Sequence, residues 1–252
     1  AIYHLPLRQT QGLLESLFIL MAITLAIPSY STLSRRKQTL TITLPQRRSN
    51  EGIHVVIDST GVKVFGEGEW KVRKHGTEKR RVWRKLHLAV DPVTHDIVAA
   101  EVSLENVHDA EVLPTLLNPL RRKLGRVYAD GAYDSKASHQ LISRKGATAC
   151  IPPRKSAGLW KKGHPRNDAV LVMRKEGLAH WKKISGYHRR SLAETAMYRF
   201  KQLLAGKISL RNYNGQVGEV MAYVSAINKG RCEQVPDMRS CLSSGAMEQG
   251  SS

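Results

Sequence analysis

Apolar residues change their spacing several times along this chain, and each change marks an element. Residues 53–57 (IHVVI) are a short run rich in β-branched side chains, which predicts a core strand. Asp58 interrupts the run. A carboxylate at the end of a core strand is costly if buried and unpaired, so this position calls for a partner, a metal or solvent. Residues 83–90 and 97–104 are two further strands, joined by the turn-forming Asp91-Pro92-Val93-Thr94-His95-Asp96. Residues 109–122 predict a helix with Val112, Leu116 and Leu120 on one face and Asp109 as its cap. Residues 126–129 form a fourth strand that Asp130-Gly131 ends. A helix over 135–145, capped by Asp134 and closed by Gly146, leads to a fifth strand at 147–151, stopped by Pro152-Pro153.

The stretch from Tyr187 to Lys201 (YHRRSLAETAMYRFK) is the most informative. On a helix, Tyr187, Arg190, Glu194 and Lys201 fall within about 60° of one line. Leu192, Ala196, Phe200 and Leu203 lie on the opposite, core-facing stripe, and Gly206 supplies a stop. Three antiparallel strands, a helix, a strand, a helix, a strand, an insertion and a helix pack naturally as a mixed five-stranded sheet flanked by helices, an α/β fold.

The N-terminal part reads differently. The apolar run at 17–27 predicts a buried helix spanning roughly residues 10–26; it is too short for a bilayer crossing of ~20 residues and lacks the flanks of a leader peptide. Pro28 breaks it, and Ser31 or Thr32 caps a second short helix. The alternating TLTITL at 39–44 predicts an edge strand ending at Pro45. Past residue 227 periodicity is lost, and 230–252 reads as a disordered tail.

Charge then narrows the partner. With 40 Lys and Arg against 21 acids the chain carries +19, an imbalance that repels itself unless a polyanion compensates it. Nucleic acid is the first candidate and a membrane surface the second. Residues 154–211 hold 15 bases and three acids, so an acid kept there, such as Glu194, requires a reason. The cluster at 71–85 reads as a DNA-facing surface, whereas GxGxW at 66–70 lacks the strand–helix context of a nucleotide loop. Trp160 and Trp181 suit either the core of the insertion or base stacking. Three cysteines without metal-ligand spacing read as free thiols in a reducing, cytoplasmic compartment.

Ligands of open α/β sheets collect beyond strand ends. If the first and fourth strands are neighbours, Asp58 and Asp130 share one space, and the last helix can bring Glu194 to them. Three carboxylates suit the hard ions Mg²⁺ or Mn²⁺. Two such ions ~3.5–4 Å apart suit phosphodiester chemistry. His108 and Asp109 read as local capping, and Asp91 as a turn residue.

On Tyr187-x2-Arg190-x3-Glu194-x6-Lys201, on IDSTG at 57–61, on ADGAYDS at 129–135 and on IPSYSTLSRR at 27–36, the chain resembles the DDE transposases of bacterial insertion sequences. The resemblance covers roughly residues 2–229 and implies a ribonuclease H-like catalytic domain at 53–229, with a small basic insertion at 154–184 before the last catalytic helix. It implies Asp58, Asp130 and Glu194 as catalytic ligands of two Mg²⁺ or Mn²⁺ ions, and Tyr187, Arg190 and Lys201 as contacts to DNA. It further implies cleavage at transposon ends and strand transfer into target DNA, a homodimer on double-stranded DNA, and a bacterial, nucleoid-associated location without a membrane. Residues 1–52 are expected to be a helical, truncated DNA-binding region. A catalytically silent DNA-binding remnant and a metal-dependent nuclease on the same fold are the alternatives.

Overall fold

In the computed structural model the described residues are 5–39, 42, 44, 52–64, 83–121, 123–204, 207–210 and 212–232. The expected edge strand at 39–44, the loop at 66–79, most of the 71–85 cluster, the Gly206 stop and the chain beyond 232 lie largely or wholly outside them. Strand β1 (Ile53–Val64) is the centre of the sheet. It pairs antiparallel with β2 (Trp83–Val90), which pairs antiparallel with β3 (Ile97–Leu104). On its other edge β1 runs parallel to β4 (Leu124–Tyr128), and β4 runs parallel to β5 (Thr148–Cys150). The order is β3-β2-β1-β4-β5, the expected five-stranded mixed sheet. A two-residue β6 (Lys207–Ile208), absent from the sequence reading, adds to the far end of β1.

Expectation and structure part at β1. The strand does not stop at Ile57 but continues through Asp58 to Val64, because β2 goes on pairing with it as far as Lys63↔Trp83. Only the pairing with β4 stops, at Val56↔Tyr128. The sheet therefore opens a notch between β1 and β4, where the strand order reverses direction.

Alternation along β1 divides its apolar side chains between two layers. Val55 and Ile57 join Leu113, Leu116 and Leu117 of α3 (Asp109–Leu117) and Ile142 of α4 (Lys136–Arg144) in one core. Leu86, Leu88 and Val102 of β2 and β3 pack on the other side against Ala196, Met197, Phe200 and Leu204 of α6 (Ser191–Leu204) and Val220 and Val224 of α7 (Tyr213–Cys232). Helix α3 ends at Leu117, short of residue 122: Asn118 still has helical backbone, but Pro119 after it has no N–H to carry the hydrogen-bond ladder on. Helix α7 continues to Cys232, so the expected tail does not begin at 230; Asn228 from this helix brackets the backbone of Ile97 with two hydrogen bonds of 2.8 and 2.9 Å.

The insertion is largely helical. Helix α5 (Arg166–Ser185) is broken at Gly177, whose φ of 84° and ψ of 166° only glycine adopts readily. It closes on Gly186 with left-handed backbone. Helix α1 (Leu7–Leu20) corrects the sequence reading: none of its residues is buried, and Ile19 and Leu20 are about 80% exposed. It ends before residue 26 because Ala22 takes a φ of 52°. Helix α2 (Tyr30–Gln38) follows, capped by the Ser29 hydroxyl, two or three residues earlier than expected. Among the described residues no helix is long and apolar enough to cross a membrane.

Candidate active site

The register builds the site. Asp58 and Asp130 each stand two residues beyond the last β1–β4 pair, Val56↔Tyr128, so both lie at the notch. Asp130 starts a 3-10 turn, Gly131–Tyr133, and its carboxylate accepts a 3.0 Å hydrogen bond from the Ala132 amide. Asp58 accepts from its neighbour, the Ser59 amide, also at 3.0 Å.

Glu194 arrives from α6, and Arg190 joins it to the sheet. One terminal nitrogen of Arg190 donates to Glu194 at 2.9 Å and the other to Asp58 at 3.2 Å. Two acids 136 positions apart in sequence thus share one guanidinium. Burial works against the charge on Arg190, but Asp58, Tyr187 and Glu194 around it together outweigh that and raise its pKa. Burial pushes the Asp130 carboxyl up, and the Asp58 and Asp109 charges add to this; only the Ala132 amide and Arg190 oppose it. The Nε–H of Arg190 is buried with no acceptor among the described residues, a state that costs ~1–3 kcal/mol.

The Tyr187 helix is not one helix. Residues Tyr187–Arg190 form a 3-10 turn and only Ser191 onward is α-helical. At about 3.0 residues per turn the side chains at i and i+3 eclipse, so Tyr187 stands in line with Arg190 but one turn deeper, toward the core. Its ring is buried with Val56, Tyr128, Cys150, Trp181 and Ala193, so it is not displayed for base stacking. Trp181 likewise belongs to this core. Lys201 is exposed on α6, about two helical turns beyond Glu194.

Two residues read as caps do other work. Asp109 sits at the first turn of α3, but its carboxylate accepts from the Ser59 hydroxyl at 2.9 Å and from Lys85 at 3.2 Å. It is a fourth acid facing the notch, tied to the residue after Asp58. Asp134 does not cap α4, since the Ser135 hydroxyl takes that role. Its buried carboxylate pairs with Arg166 instead. Acids beside a motif aspartate were visible in the sequence, but nothing in their spacing distinguished them from caps. Asp91 does serve its turn, accepting from the Val93 and Thr94 amides.

Among the described residues no group of three or more His, Cys, Asp or Glu side chains is placed closely enough to hold a metal ion. The donor chemistry nevertheless suits one: the acids are all oxygen donors, and Arg190 stands as a cation between two of them.

A family model described as a transposase DDE domain matches residues 49–229, and a second model of that description matches residues 1–67. The cryo-EM structure of a piggyBac transposase synaptic complex with hairpin DNA is similar at 10% identity and a TM-score of 0.36, over 73% of this chain and 48% of that one. The chain thus spans about half the length of that protein. The first family match takes in most of the sequence, including Asp58, Asp130 and Glu194: the chain belongs to the DDE transposase family.

Proposed function

We propose that this chain cleaves DNA at transposon ends and joins the freed ends to target DNA, as a transposase of the insertion-sequence branch. The observation that supports this best is Arg190 bridging Asp58 and Glu194 beside Asp130 at the sheet's notch. Two acids meeting on one arginine in a chain of charge +19 are explained by a demand for cations there. Asp58, Asp130 and Glu194 would hold two Mg²⁺ or Mn²⁺ ions, which stabilise the attacking and leaving oxygens of a phosphodiester in line.

The remaining roles follow from placement. Arg190 balances Asp58 and Glu194 in the metal-free protein and, once they are otherwise neutralised, turns its fork to a DNA phosphate. Exposed Lys201 takes a second phosphate farther along α6. Tyr187 holds the Arg190 turn against the core instead of stacking on a base. The 3′-hydroxyl released by hydrolysis is the nucleophile for joining, so no protein side chain forms a bond to DNA. Residues 1–52 belong to the part that recognises the ends, 53–229 form the catalytic domain, and two copies act together on DNA at the bacterial nucleoid.

The test uses DNA flanking the chain's own coding sequence as the end substrate, with a target plasmid and Mn²⁺ or Mg²⁺. Products joined to the plasmid are expected. Cleavage without joining would replace this reading with a metal-dependent nuclease. Salt-sensitive binding without cutting would leave a silent DNA-binding remnant.

A further inference from the structure

Asp134 lies four residues after Asp130, and the turn between them has no slack. Tyr133 N–H donates to the Asp130 carbonyl at 3.1 Å, Asp134 N–H to Gly131 at 3.2 Å and Ser135 N–H to Tyr133 at 2.8 Å. The Asp134 carboxylate is 1% exposed and fully partnered. Arg166 grips it with two parallel 2.6 Å hydrogen bonds, from Nε to Oδ1 and from the terminal nitrogen to Oδ2. His139 stands 3.2 Å from Oδ1 and the Arg154 amide donates to Oδ2 at 3.4 Å. The other face of the grip is closed too. Arg166 donates to the Gly158 carbonyl at 3.0 Å, and the Trp160 ring lies 4.1 Å from the guanidinium carbon. Burial alone would raise this carboxyl's pKa; the hydrogen bonds from Arg166 and His139 hold it well below the usual range.

Arg166 is also the first residue of α5. Farther along that helix, Ala169, Val172 and Met173 pack on the cluster formed by Val56, Tyr128, Trp181, Tyr187 and Ala193. Tyr128 precedes Asp130 by two residues and Ala193 adjoins Glu194. One helix is therefore clamped to the Asp130 loop at its start and seated under the Glu194 turn along its length.

We propose that Asp134 and Arg166 are positioning residues, a buried clamp through which α5 sets the Asp130 loop against the turn that ends at Arg190 and the first turn of α6, which carries Glu194. This rests on the reading of Asp58, Asp130 and Glu194 as metal ligands. A bidentate pair suits the task because it fixes orientation as well as distance.

The decisive variant is Arg166→Lys, which keeps the charge and loses the fork. Free Mn²⁺ is titrated by electron paramagnetic resonance with the full chain, and backbone amide exchange is followed in parallel without metal. The variant is expected to need about 10-fold more Mn²⁺ for half-saturation, the loss typical when a group supporting a metal ligand is removed. Amides of Ala132, Tyr133 and Asp134 should exchange faster while those of β2 and β3 stay protected. Unchanged Mn²⁺ affinity with unchanged loop exchange overturns the clamp. Faster exchange throughout the sheet overturns it as well, since that is a purely structural loss. If the parent itself binds no Mn²⁺, the metal-ligand reading falls, and the exchange result alone decides: loosening confined to 130–135 upholds the clamp, and none overturns it.

Discussion

Asp134 lies four residues from Asp130, yet it is treated in the opposite way to the acids of the candidate site. Asp134 has both oxygens occupied, by Arg166, His139 and a backbone amide, and is sealed from water. Asp58 and Glu194 share one arginine, Asp58 and Asp130 each accept from one nearby amide, and Glu194 lies largely in solvent. A carboxylate that the protein satisfies completely is a structural part, because removing its partner strands a buried charge. Carboxylates gathered but satisfied only in part retain affinity for something that arrives from outside. The contrast separates the clamp from the site better than burial does.

The comparison is sharpened first at Glu194. Glu194→Gln should reduce Mn²⁺-dependent DNA cleavage by about a thousandfold or more, consistent with loss of an essential metal ligand, while metal-free DNA affinity changes little. Cleavage at the parental rate would remove Glu194 from the site. Asp134→Asn should break the other member. It leaves Arg166 buried without its counter-charge, and urea unfolding should show a loss of ~3–5 kcal/mol. A loss below ~1 kcal/mol would mean that the pair is solvated in solution.

A buried histidine behind the notch provides the pH test. His87 hydrogen-bonds Ser103 at 2.9 Å and stands 3.5 Å from the Tyr133 hydroxyl. Burial lowers its pKa from 6.5 to about 4, against the pull of Asp109. A lowered folded-state value means that His87 contributes stability above pH 6.5 and that this contribution is lost as pH falls through about 4. The loss should total ~3 kcal/mol. Melting temperatures measured from pH 7 to pH 4 should fall, and His87→Gln should flatten that slope; an unchanged slope assigns acid sensitivity elsewhere. The smallest effect is expected at Lys201. Lys201→Ala should weaken DNA binding a few-fold and reduce the slope of log affinity against log salt by about 1; an unchanged slope excludes a phosphate contact there.

Much of the fold was legible because it depends on local patterns. Strands β2 and β3 match the sequence reading to the residue, since their alternation and the Asp91–Asp96 turn are short-range signals. The N-terminal helix misled for the same reason. An unbroken apolar run carries no face, so composition alone could not say whether anything covers it, and α1 is exposed. At the candidate site, Asp58, Asp130 and Glu194 stood out in the sequence because their neighbours form motifs. Asp109, Asp134 and Arg166 did not, because their partners lie 50, 32 and 32 positions away.

By itself, then, the sequence determined the five main strands of the sheet, pointed to a polyanion through its charge of +19, and singled out three acids as candidate metal ligands. Each of these is a property of residue type and short spacing. Tertiary structure alone decided that β1 runs through Asp58 while β4 stops at Tyr128, that Tyr187 turns inward on a tighter helical turn, and that Arg190 reaches two acids at once. Those outcomes come from pairing and packing between segments far apart along the chain, and no local pattern records which distant partner a side chain will meet.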